Sequence, residues 1–80
     1  MMMQILMIAG WGGVMNAMQP LQQHLHQLGH QVDLLDFFSP HDDVWHDVLK
    51  QLSHYHMVVG WSLGGQLATL LAHEAQQQGV

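Results

Sequence analysis

Ser62 stands in the stretch Val58-Val59-Gly60-Trp61-Ser62-Leu63-Gly64-Gly65-Gln66-Leu67-Ala68, where an apolar run meets a segment with helically spaced leucines. A serine between glycines at such a junction can serve in two ways. As an N-cap, its oxygen accepts from a free N–H of the helix start, and its backbone stays in the β region. As a nucleophile, it occupies a turn so sharp that its backbone is forced to positive φ and its hydroxyl projects above a sheet. Gly60 and Gly64 fit the second use, because the strand and the helix of such a turn would otherwise collide. Gly65 extends the same small-residue surface. Ser62 is therefore the candidate nucleophile for acyl transfer, attacking a carbonyl carbon and leaving an oxyanion to be held by two backbone N–H groups. One of these belongs to Leu63, the residue after the nucleophile. The other is expected from the glycine-rich turn Gly10-Trp11-Gly12-Gly13, with the main chain of Trp11 as the donor.

A serine hydroxyl is a poor nucleophile unless a base lies within hydrogen-bond reach. After Ser62 the chain offers only His73 and Glu74. Both fall on the helix that Ser62 opens, and the rise per residue carries them roughly 15 Å away. His24, His26, His30, His41, His46, His54 and His56 lie upstream, on predicted helices or at strand starts, the latter at the opposite end of the sheet from Ser62. The 80 residues thus offer a nucleophile with no base placed to activate it.

The elements that must position Ser62 follow from the hydrophobic pattern. Gln4–Ala9 is a continuous apolar run, as expected of a strand covered on both faces. Val14, Met18, Leu21, Leu25 and Leu28 share one face of a helix whose first turn is placed at residues 16–20 by Pro20, with Gly29 as its cap. Gln31–Phe37 reads as a second strand. Ser39-Pro40 offers an N-cap and a first-turn proline for a second helix, with Asp42 and Asp43 in the first turn and Val44, Trp45, Val48, Leu49 and Leu52 as its apolar face. Tyr55–Val59 is a third strand. Leu63–Gln78 is a third helix, with Leu63, Leu67, Leu70 and Leu71 apolar and Gly79 as cap. The alternation predicts a single domain, a three-layer α/β/α unit with a parallel three-stranded sheet of order 2-1-3. That order brings the turn after the first strand beside Ser62 at a topological switch point. It also leaves the apolar third strand as an edge, from which self-association is expected.

Composition narrows the partners. Lys50 is the single basic residue against six acidic ones, giving a net charge of −5 and excluding nucleic acid and anionic membrane surfaces as natural partners. Eight histidines let acidification reverse that charge, so solubility should pass through a minimum in mildly acidic solution. With no cysteine, there is no disulfide or thiolate metal site. The amino-terminal apolar run lacks a basic leader and is too short to span a bilayer, which places the chain in the cytoplasm by default. No metal site is expected, since neither His24 with His26 nor His54 with His56 has a third ligand at suitable spacing. No cofactor is expected either. Gly10-x-Gly12 with Asp36 matches part of a dinucleotide fingerprint, but Met15 stands where a third glycine belongs.

With these residues in place, the chain resembles the α/β-hydrolase superfamily over essentially its whole length, from that family's third strand through its nucleophile helix. "IAGWGG" resembles the oxyanion turn and "VVGWSLGGQLA" the nucleophile elbow. The paired Trp11 and Trp61 look most like the pimeloyl-acyl-carrier-protein methyl ester esterases. Ala9 departs from the histidine that many members carry before the turn, where it orders the loop. The resemblance implies a serine ester hydrolase, with a small-molecule or acyl-carrier-bound ester as the parent's substrate. Its acid and histidine would follow the serine, so the resemblance implies that residues 1–80 form a partial α/β-hydrolase domain truncated at its carboxyl end, holding half of an active site and inactive alone. The alternative is a non-catalytic nucleotide-binding or protein-interaction module.

Overall fold

The computed structural model describes residues 2–10 and 15–79 of the 80-residue chain. Three strands, β1 (Gln4–Ile8), β2 (Gln31–Leu35) and β3 (Met57–Gly60), form one parallel sheet in the order β2-β1-β3. Helix α1 (Met15–Gln27) follows β1, α2 (Asp43–Gln51) follows β2, and α3 (Leu63–Gln77) follows β3. This is the expected α/β unit with the expected strand order. In register, Gln4 faces Gln31 and Ile8 faces Leu35 on one side of β1, while Ile5 faces Met57 and Ile8 faces Gly60 on the other.

β1 is the centre of the molecule because it alone pairs on both edges and packs on both faces. Ile5, Met7 and Ala9 point to the α1 side, where they meet Met18 and Val32. Leu6 and Ile8 point to the other side, against Trp45, Val48 and Leu49 of α2 and Leu67 and Leu71 of α3. Residues 5–9 are all buried, which explains why β1 has no polar alternation. Val14 of the expected α1 face lies outside the described residues. Leu21 and Leu28 do not join the core: they are exposed, and α1 is held by Met18 with partial help from Leu25.

Several boundaries differ from expectation for local reasons. Strand β2 stops at Leu35, where the Asp36 carboxylate accepts from the Phe37 N–H at 2.8 Å and turns the chain. β3 begins at Met57, because residues 52–54 form a 3-10 turn and the Tyr55 N–H is drawn back to the Leu52 carbonyl. Ser39 is not the cap of α2. His41 takes a positive φ of 67°, which delays the helix so that Asp42 caps it, its Oδ1 accepting from the Trp45 N–H at 2.9 Å. Pro20 sits in the sixth position of α1, past the first turn, so the helix forgoes the bond that an N–H there would make. Gly29 and Gly79 end α1 and α3 at positive φ, as expected.

The amino end of the sheet is fastened by side chains that sequence patterns did not reveal. His30 Nδ1 accepts from the Met3 N–H at 3.1 Å, and His56 Nδ1 accepts from the Gln4 N–H at 2.9 Å. These bonds extend the pairing of β1 by a residue on each side. Beneath it the Tyr55 hydroxyl donates to Asp33 Oδ2 at 2.6 Å, tying β2 to the approach of β3. Burial, then the bond to Asp33 and its negative charge, push the Tyr55 phenol up to about 12. The folded state therefore favours the neutral phenol. Its contribution is complete below the ordinary tyrosine value near 10 and is lost as pH rises to about 12. Urea titrations across that interval should show stability falling in the parent chain, with a shallower fall in Tyr55→Phe; equal slopes would contradict the assignment. Asp42→Ala should lower stability by about 1 kcal/mol at neutral pH, read from the same titrations.

Candidate active site

The junction of β3 and α3 is a strained turn, and its strain falls on Ser62. The residue has φ 57° and ψ −120°, and its side chain caps nothing in the helix it precedes. An N-cap serine would sit in the β region with its oxygen on an N–H of the first turn. Such a backbone costs of order 1–3 kcal/mol and persists only where the surroundings impose it. Here the surroundings are backbone. The Gly64 N–H donates to the Trp61 carbonyl at 2.9 Å and the Gly65 N–H to the Ser62 carbonyl at 2.9 Å, so the chain reverses within four residues.

Glycine is required at this turn by close approach. A Cβ on Gly60 would overlap the Gly64 carbonyl, and a Cβ on Gly64 would overlap the carbonyl of Ile8 in β1. Helix α3 thus starts directly on the backbone of the central strand. Gly65 is less constrained, its Cβ position lying 3.3 Å from the Gly60 oxygen. Gly10 closes the site from the β1 side: a Cβ there would lie 2.8 Å from the Trp61 oxygen and 3.5 Å from the Leu63 nitrogen. The end of β1 therefore abuts the elbow. Trp11 and Gly12, expected in the oxyanion turn, lie outside the described residues.

The Leu63 N–H is the first of α3 and has no acceptor among the described residues. It carries the positive end of the helix and is free to bind an anionic oxygen. Ser62 is exposed, and its hydroxyl bonds to none of the described residues. Trp61, Leu63 and Leu70 are exposed large apolar residues nearby. Leu67 and Leu71 join the core, but Leu63 and Leu70, apolar in the same helix pattern, do not. Instead they line a shallow groove of about 100 Å³ with Phe37, Pro40, Gln66 and Leu67.

None of the histidines is hydrogen-bonded to Ser62 among the described residues. His30 and His56 are engaged at the amino end of β1, the far end of the sheet. His73 lies 3.3 Å from the Gln77 amide and Glu74 accepts from Gln78, both late in α3. His41 is the exception to the expected placement. It sits in the loop after β2, at the elbow's end of the sheet, with its ring 5.2 Å from that of Trp45. No group of three metal-ligating side chains occurs among the described residues. No helix among them is long and apolar enough to cross a membrane.

Comparison with protein-family models, with curated proteins and with solved structures finds no match for the chain.

Two substitutions separate strain from packing at the elbow. Gly64→Ala should cost about 3 kcal/mol or more or prevent folding, because the Ile8 backbone cannot retreat. Ser62→Gly should stabilise the fold by about 1 kcal/mol, since glycine adopts φ 57° without strain but loses more entropy on folding. Thermal or urea denaturation reads both, and a destabilised Ser62→Gly would mean that the turn is unstrained.

Proposed function

We propose that the chain carries the nucleophile and part of the oxyanion hole of a serine hydrolase acting on carboxylic esters. The observation that supports this reading most is the backbone of Ser62, held at φ 57° and ψ −120° with a side chain that serves no cap. The resemblance to the α/β-hydrolase superfamily supports it further, as does the strand order, which sets the end of β1 beside the elbow. In this mechanism Ser62 Oγ attacks the ester carbonyl carbon as a base removes its proton. The oxyanion accepts from the Leu63 N–H and from the main chain of Trp11. Collapse expels the alcohol, which takes up the proton, and water then releases the acid and restores Ser62. Gly60, Gly64 and Gly65 shape the elbow, and Gly10 lets the end of β1 approach it. The resemblance implies a histidine and a carboxylate that complete the triad. The protein works in the cytoplasm on a small-molecule or acyl-carrier-bound ester and needs no cofactor.

The test is hydrolysis of p-nitrophenyl butyrate. The 80-residue chain should show no turnover that depends on Ser62, because no base among the described residues is hydrogen-bonded to the hydroxyl. A longer natural chain that includes the acid and histidine should hydrolyse the ester. Ser62→Ala in that chain should lower kcat by about 10⁴-fold or more while the fold is retained. A longer chain that folds but shows no Ser62-dependent hydrolysis of any short ester would overturn the proposal.

A further inference from the structure

The edge of β2 opposite β1 lies at the floor of a cleft of about 490 Å³ between α1 and α2. The Gln31 N–H donates to the Met3 carbonyl, and the Leu35 carbonyl accepts from the Ala9 N–H. By strand alternation, the backbone groups of residues 31, 33 and 35 face β1, and those of Val32 and Leu34 face the cleft. The Gln22 side-chain amide already donates to the Val32 carbonyl at 3.3 Å, as the N–H of a neighbouring strand would. Above this edge, α2 presents Val44, an exposed apolar side chain, and Asp47. Asp33 adds a second carboxylate, and no lysine or arginine lines the cleft.

We propose that this cleft docks an extended segment of another protein that carries basic side chains. The segment pairs with β2 through the Val32 and Leu34 backbone. Its apolar residues cover Val44, and its lysine or arginine side chains reach Asp33 and Asp47. Charge identifies the occupant. A second copy of this chain has a net charge of −5 and only Lys50 to offer, so it would set acid against acid. The β3 strand itself, Met57–Gly60, carries no carboxylate. The proposal concerns a surface at the far side of the sheet from β3 and does not rest on Ser62.

The test uses a fluorescein-labelled acetyl-Lys-Val-Lys-Val-Lys amide, followed by anisotropy, with amide hydrogen exchange of the protein as a second readout. Binding should slow exchange at Val32 and Leu34. It should weaken at least tenfold with Asp47→Lys. A peptide with proline at its central position, or with glutamate in place of lysine, should not bind measurably. No binding of the lysine peptide would overturn the proposal. So would equal binding of the glutamate peptide, protection at residues 57–60 instead of β2, or protection of Val32 and Leu34 on concentrating the protein alone.

Discussion

The contact between Gly64 and the Ile8 carbonyl is the constraint on which the rest of the molecule depends. A helix rarely begins in direct contact with the backbone of the neighbouring strand. Here it does, and three consequences follow. Glycine is required at 60 and 64. The link between β3 and α3 shrinks to two residues, and Ser62 absorbs the turn at positive φ. Finally, the first N–H of α3 is brought beside the end of β1. Local strain, helix polarity and strand order thus converge on a single hydroxyl.

That convergence needs a rigid support, and β1 provides it. Its residues alternate between two apolar layers, so sliding it by one position would swap the side chains of the two layers and disrupt the packing of both. The histidines at its amino end add to this fixation without touching the elbow. Strain at one end of the sheet is carried by pairing and packing along its length. The opposite edges of the sheet differ in character: β2 is flanked by carboxylates and helices, and β3 is apolar.

Much of this was legible in the sequence. The run of apolar residues in β1, the leucine spacing in α3 and the glycine pattern around Ser62 each point to one local structure, and they agree with one another. The order 2-1-3 and the positive φ of Ser62 followed from that agreement. What was not legible depends on three-dimensional company. Ser39-Pro40 looks like a better helix start than Asp42, until His41 turns the chain first. Pro20 marks a helix start only if packing does not favour an earlier one. Leu63 and Leu70 have core-like spacing, yet the layer that would cover them is not supplied by α2. His30 and His56 are polar residues at strand entrances, and nothing in their spacing shows that their rings accept backbone N–H groups.

The central claim is that Ser62 is held in a strained elbow and is not a helix cap. The most direct measurement is its backbone conformation in solution, from three-bond couplings and residual dipolar couplings of the isotopically labelled chain. The account predicts positive φ at Ser62, and no hydrogen bond from the Gly65 N–H to the serine hydroxyl. Extended angles at Ser62, with its oxygen bonded to an N–H of the first turn of α3, would contradict it.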